Sequence, residues 1–267
     1  MHSPTTPEGS MDHPLPLSAV VITKNEADRI ARCLGSLVPL CNEVIVLDSG
    51  SQDATVEIAR HFGVRVCHQE WLGFAEQKNA AIKLASQPWV LLLDADEWLG
   101  AGAEASLRRL FDNDAVEAAD VWRLQRRTHF LGTALNHGGW GNESVERLFR
   151  ADLRYLPGQV HERLDLRGRR VDRVPARIEH DTARTLEEYQ AKLEKYAALW
   201  ASQRMAAGRR CGPVAAYTHA MAYWVKNYLL RGGFLDGNGA RIYHALHTKY
   251  VRDKYRQLHE LGTAARD

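Results

Sequence analysis

The chain has 267 residues, 45% of them hydrophobic and 25% charged, an ordinary globular composition with length enough to bury the core of one large or two small domains. No apolar run approaches the ~20 residues that span a bilayer, and Met1 to Pro16 is polar and Pro-rich without the apolar core of a signal peptide, so it reads as a disordered tail. The net charge of +2 hides a polarity: residues 1–120 carry 9 Lys/Arg against 18 Asp/Glu, residues 121–184 carry 13 against 8, and residues 200–267 carry 11 against 4, so the second half faces an anionic partner.

Leu17 to Thr23 is a β-branched strand, followed by Lys24-Asn25-Glu26 and a helical pattern from Ala27 to Leu37. Glu43 to Asp48 is a second apolar strand that ends in Asp. Ser49-Gly50-Ser51 then turns the chain into a helix that begins near Asp53 or Thr55 and closes at Phe62-Gly63. Val64 to Cys67 is a third strand, Ala75 to Ala85 a helix, and Trp89 to Leu93 a fourth strand. This alternation predicts βαβ units and a mostly parallel sheet covered on both faces. Ligands of such sheets sit beyond the carboxyl ends of the strands, where Thr23–Glu26, Asp48–Ser51 and Asp94–Glu97 all fall. The four cysteines, Cys33, Cys41, Cys67 and Cys211, lack CxxC or metal spacing and point to a reduced, cytoplasmic compartment.

Asp94-Ala95-Asp96-Glu97 ends its strand in three carboxylates that repel one another. A divalent cation, Mg²⁺ or Mn²⁺, gives that cluster a reason, because Mg²⁺ is held by one or two carboxylates together with substrate phosphates. The bland alternative is a helix cap or solvated turn. Asp48 with Ser49 and Ser51 offers acceptors for a base N–H or a ribose hydroxyl, or else Ser49–Asp53 caps the next helix. Neither GxGxxG nor GxxxxGK[ST] occurs, which disfavours a dinucleotide fold and a P-loop.

Val20-Val-Ile-Thr-Lys-Asn-Glu26, Val46-Leu-Asp-Ser-Gly-Ser-Gln-Asp-Ala-Thr55, Gly73-Phe-Ala-Glu-Gln-Lys-Asn79 and Leu92-Leu-Asp-Ala-Asp-Glu97 together resemble the inverting glycosyltransferases of family 2. Residues 132–163, Arg210-Cys-Gly212 and Leu229 to Gly237 look like the lipopolysaccharide inner-core β-1,4-glucosyltransferase subgroup. Pro157-Gly158-Gln159 stand where that family has an acidic residue. The resemblance implies a GT-A α/β fold: a mostly parallel nucleotide-binding sheet flanked by helices, with a C-terminal helical extension. The catalytic domain would cover residues 17–184 (donor half 17–120, acceptor half 121–184) and the extension 185–267. It further implies a UDP-sugar donor, most often UDP-glucose, and a core heptose acceptor at the cytoplasmic face of the inner membrane, with no nucleic acid. By position, Thr23, Asn25 and Glu26 would line the nucleotide pocket and Asp48, with Ser51, would meet the uracil. Lys78 and Asn79 would lie near pyrophosphate and ribose, Asp94 near the ribose, and Asp96 on the metal.

Such a transfer needs a base for the acceptor hydroxyl. Val160-His161-Glu162-Arg163 offers Glu162, with His161 as an orienting neighbour or itself the base. An exposed Glu162 paired with Arg163 is the plain reading. Trp140, after Gly138-Gly139, would present a flat face to a sugar ring. Arg147 and Arg150, three apart, would share one face of a helical turn and reach phosphate, with Arg163 nearby. His129, His137 and His180 have no zinc spacing. Further on, Leu186 to Trp200 carries a helix-period stripe, Val214 to Leu230 mixes aromatic and aliphatic residues with cations, and Ala240 to Leu261 is a basic helix. The last two are expected to touch the membrane peripherally. A nucleotidyltransferase is the rival enzyme class, but Thr23-Lys-Asn-Glu26 is not its Gly-rich basic loop; a nucleic-acid module leaves the carboxylates unexplained.

Overall fold

The computed structural model describes residues 13–112, 114–141, 143–156 and 162–264. Strands β1 (Leu15–Thr23), β2 (Cys41–Asp48), β3 (Arg65–His68) and β4 (Trp89–Asp94) alternate with helices α1 (Ile30–Leu37), α2 (Thr55–His61) and α3 (Phe74–Lys83). β1 pairs in parallel with β2 and with β4, and β2 in parallel with β3. The chain continues through β5 (Glu97–Leu99), α4 (Ala103–Asp112), β6 (Val121–Phe130), β7 (Thr133–Leu135), β8 (Glu143–Arg150) and β9 (Val171–Asp181). The sheet order is β3-β2-β1-β4-β8-β6-β9-β5, with β7 on β6. Because β8 runs antiparallel to β4, the sheet is mixed, its parallel part being the first four strands.

Two boundaries differ from the sequence reading. The strand begins at Leu15, which is buried, so Leu15 and Pro16 belong to the sheet and not to a tail. α1 begins at Ile30 instead of Ala27, because the turn after β2 captures the preceding loop. Ser51 Oγ accepts from the Asn25 amide (2.8 Å), Thr55 Oγ1 from Glu26 (2.7 Å) and Asp53 Oδ2 from Ala27 (3.2 Å). These amides precede the first helical bond, from Ile30 to the Glu26 carbonyl at 2.8 Å, so the side chains cap the turn that leads into α1.

The chain forms two compact units, one running to Gln125 and including Ser144–Glu179, the other holding Arg126–Glu143 and the residues from His180 on. This differs from a cut between residues 184 and 185, since the β6–β7 hairpin folds with the helices. In the first unit, successive strand residues face opposite layers. Leu17, Ala19, Val21, Leu91 and Leu93 join α1 and α4 in one core, while Val20, Ile22, Val90 and Leu92 join Ala81, Ile82, Phe149 and Tyr155 in the other. Burial on both faces explains the unbroken apolar runs.

The second unit contains α5 (Leu186–Ala206), α6 (Ala215–Tyr223), a π-helical stretch (Trp224–Leu230) and α7 (Gly237–Ala264). Thr185 caps α5 by accepting from the Glu188 amide at 3.1 Å. Phe130, Leu135, Tyr189, Leu193, Tyr243 and Leu246 form its core. Among the described residues no helix is long and apolar enough to cross a membrane.

Candidate active site

Strand register brings the first group together. Thr23 pairs opposite Asp48, and Ile22 opposite Asp94, so both carboxylates sit at the same carboxyl edge of the sheet. Asp48 is buried, and its oxygens accept from the Gly50 amide (2.9 Å), the Ser51 amide (3.0 Å) and the Ser51 hydroxyl. Its carboxylate thus shapes the Ser49–Ser51 turn, and that use fills most of its lone pairs. Asn25, at φ 55°, closes the rim by accepting from the Gln52 amide at 2.8 Å. Glu26 is gripped by Arg29, whose Nε is 2.7 Å away, and Arg29 also lies 3.9 Å from Asp96. Thr23 Oγ1 is buried with no hydrogen-bond partner among the described residues, an acceptor and donor at the floor of this edge.

Beside it lies a row of alternating charges. Lys78 Nζ, almost fully buried, stands 2.6 Å from Glu162 Oε1 and 3.6 Å from Asp94 Oδ1. Arg147 Nη2 stands 3.0 Å from Asp94 Oδ2 and 2.7 Å from Glu97 Oε1. Glu97 is wholly buried, and its other oxygen accepts from the Asp94 amide at 3.2 Å. Burial alone would lower the pKa of Lys78, but Asp94, with Tyr155 and Glu162, outweighs burial and Arg147 and raises it above the ordinary lysine value. Burial likewise opposes the charge of Arg147, and Glu97 and Asp94 push its pKa well above the usual value. Burial, followed by the charges of Glu97, Asp96 and Asp94, drives the nearby Cys33 thiol well up, so it stays protonated.

Helix α3 supplies more than Lys78. The Gln77 amide, wholly buried, donates to Ser49 Oγ (2.9 Å) and to the Gln69 carbonyl (3.3 Å) while accepting from the Leu72 amide (3.3 Å). The Asn79 amide pairs with the backbone of Tyr155 in both directions, at 2.9 and 2.8 Å. That pair of hydrogen bonds ties Asn79 to the chain that leads to Glu162. A bridge between Tyr155 and Leu164 fixes the base of the same segment.

The remaining sequence candidates divide. Arg147 and Arg150 are not on a helical turn but in β8, where a spacing of three puts them on opposite faces. Arg147 is buried in the charge row, whereas the Arg150 guanidinium lies 4.4 Å over the Trp89 ring and pairs with Glu117. Glu162 pairs with Lys78 rather than with Arg163, which is exposed. Trp140 belongs to the second unit, half-buried, edge-on to Tyr243 at 5.6 Å between ring centres, so it serves packing there. His161 lies outside the described residues. Glu97, Gln77 and Tyr155 were not picked out as site residues, and only a wholly buried carboxylate's need for a cation would have flagged Glu97.

The implied divalent cation fits this edge in one manner only. Among the described residues no group of three or more His, Cys, Asp or Glu could hold an ion. Most ligands must therefore come from phosphate oxygens and water, the habit of Mg²⁺, with one carboxylate from the protein. Asp94 lies 3.0 Å from Arg147 and 3.6 Å from Lys78, and Asp96 lies 3.9 Å from Arg29.

Parallel βα units whose carboxyl edge carries clustered Asp, Glu and buried cations, continued by antiparallel strands, define a GT-A-type glycosyltransferase fold. The chain belongs to glycosyl transferase family 2, whose family model matches residues 18–164. It is 28% identical over 245 residues to the lipopolysaccharide core biosynthesis glycosyltransferase LpsC of Rhizobium meliloti, covering 86% of this chain and 89% of LpsC. It is 44% identical over 95 residues to an uncharacterized glycosyltransferase of Rickettsia felis, covering 36% of this chain and 34% of that one. Among solved structures, S. aureus TarS in complex with UDP aligns with a TM-score of 0.47 at 14% identity, covering 93% of this chain and 91% of that one. Glucosyl-3-phosphoglycerate synthase from Mycobacterium tuberculosis, in complex with Mn²⁺, UDP and glucosyl-3-phosphoglycerate, aligns with a TM-score of 0.34 at 24% identity, covering 49% of this chain and about half (51%) of that one.

Proposed function

We propose that this glycosyltransferase is an inverting, metal-dependent hexosyltransferase that moves glucose from UDP-glucose onto a heptose of the lipopolysaccharide inner core, at the cytoplasmic face of the inner membrane. The observation that carries the reading is the Glu162–Lys78–Asp94 series, in which a carboxylate from the acceptor half stands 2.6 Å from a buried cation at the sheet edge. An inverting transfer is one displacement at the anomeric carbon and requires a base for the incoming hydroxyl on the face opposite the departing diphosphate, with positive charge for that diphosphate on the other. Glu162 takes the proton from the acceptor hydroxyl. Lys78 meets the diphosphate as a fixed, desolvated charge. The Ser49–Ser51 turn shaped by Asp48, with Thr23, Asn25 and Glu26, receives the nucleoside. Asp96 holds Mg²⁺ or Mn²⁺, which when bound supplies further positive charge to the leaving diphosphate. His161 orients the acceptor, and Arg163 belongs to the acceptor side of the proposal.

The similarity to LpsC along most of the chain supports the lipopolysaccharide core as acceptor. A screen of UDP-sugars with truncated core lipid, read by mass of the product, tests donor and acceptor together. Addition of a hexose from UDP-glucose to heptose-terminated core is the expected result. Transfer only from another sugar nucleotide, or only to another acceptor, overturns the corresponding half.

A further inference from the structure

The second unit inverts the usual distribution of side chains along α6. Its buried positions are Ala216 and Ala220, whereas Val214, Tyr217 and Met221, spaced three and four apart along one stripe, are 63%, 70% and 61% exposed. A water-facing helix does the opposite, burying its large apolar residues and exposing its small ones. The pattern continues at the end of the π-helical stretch and beyond it, where Leu230, Phe234 and Leu235 are all exposed. Single exposed apolar residues are ordinary, but a set ordered along one stripe marks a binding face.

Positive charge adjoins that stripe. A groove of about 740 Å³ has Tyr217 on one wall and Lys249, Arg252 and Arg256 of α7 on the other. Glu194 lies 2.7 Å from Lys249, and Asp253 lies 3.3 Å from Arg252 and 3.8 Å from Arg256. Glu260 also lies 2.9 Å from Arg256, so three acids hold the three cations in place and the positive excess belongs to the wider surface. The surrounding residues 200–267 carry 11 Lys/Arg against 4 Asp/Glu.

We propose that this face docks on an anionic lipid bilayer: the Val214–Met221 stripe and Leu230–Leu235 enter the boundary between headgroups and acyl chains, while the Lys249–Arg256 turn meets lipid phosphates. A bilayer of that kind asks for both features at once. Nucleic acid would use the cations but not the aliphatic stripe. A second copy would bring the same excess of positive charge against itself. The surface rests on the membrane location proposed above, yet it takes no part in sugar transfer.

The test is flotation of the full-length chain with vesicles of phosphatidylcholine alone and with added phosphatidylglycerol. The protein is expected to float with the anionic vesicles and about tenfold less with the zwitterionic ones or at high salt. Tyr217→Ser/Met221→Ser/Leu230→Ser is expected to lower flotation about tenfold or more with unchanged circular dichroism. Leu230→Asp, at the most exposed of these positions, and Arg252→Gln/Arg256→Gln give second and third probes should the triple variant misfold. The proposal is overturned if the wild-type chain ignores anionic vesicles, if the variants float equally, or if the triple variant instead dissolves a dimer seen in sedimentation. A chain that transfers sugar without floating refutes the surface and spares the transferase; one that floats without transferring does the reverse.

Discussion

Replacing Arg147 by Met removes the cation that lies between two carboxylates, 2.7 Å from Glu97 and 3.0 Å from Asp94, while keeping much of the side-chain volume. Asp94 keeps Lys78, at 3.6 Å, and can draw on solvent. Glu97 cannot, because its side chain is 0% exposed. A charge pair about 4 Å apart at an effective dielectric near 20 is worth roughly 4 kcal/mol, and breaking a buried pair from one side costs about 3–5 kcal/mol because a charge is stranded. In urea unfolding followed by tryptophan fluorescence, Arg147→Met is expected to lose that amount, or roughly 10 °C in Tm for a chain of this size. Adding Glu97→Gln should restore a large part, because it removes the stranded charge. The buried Arg147 Nε, which has no hydrogen-bond partner among the described residues, makes the arginine itself costly and favours such recovery. A loss below about 1 kcal/mol for Arg147→Met, or a double variant no more stable than the single one, refutes the row of charges as a structural unit.

Glu162→Gln should leave UDP-sugar binding by calorimetry nearly intact and slow transfer by roughly 10²-fold or more; normal turnover would remove Glu162 as the base. Asp96→Ala should abolish the dependence of UDP affinity on Mn²⁺, and an unchanged dependence would move the metal elsewhere. Leu91→Ala, at a wholly buried position in the central strand, should cost about 2–5 kcal/mol in denaturant unfolding. His247 is held neutral in the second unit, its pKa pushed down to about 3 by burial and then by His244 and Lys254. The folded value lies below the unfolded one, so the stabilisation is complete above pH ~6.5 and declines as pH falls toward the folded value, by up to ~1.4 kcal/mol per pH unit. Melting curves from pH 7 to 5 should show this slope in the wild type and a shallower one in His247→Gln.

Local pattern made the donor half readable. The apolar runs that end at or beside Thr23, Asp48 and Asp94 appear as parallel strands within two residues of their expected bounds, because burial on both faces leaves an unbroken apolar signature. Local pattern failed where a contact from far along the chain decides the outcome. The helical start at Ala27 lost to side chains of Ser51, Asp53 and Thr55, and nothing near residue 27 announces them. Arg147 and Arg150 fit helix or strand equally by spacing, and only pairing with β4 settles it. The carboxylate cluster was visible as chemistry, but the partner of Glu97 stands 50 residues away. Glu162 and Lys78, 84 residues apart, each drew attention singly, and their meeting was not legible.

Gln77, Lys78 and Asn79 are consecutive, yet each is fastened to a different stretch of chain: the Ser49 turn, Glu162 and Tyr155. Successive helical residues point roughly 100° apart, so these three moor about 200° of the circumference of α3. The helix can neither rotate nor slip by one residue without breaking all three attachments together. Substitutions in the Ser49 turn are therefore mechanically tied to the carboxylate across the helix. Variation there must come in concert, and diversification by single steps is confined to residues that α3 does not hold.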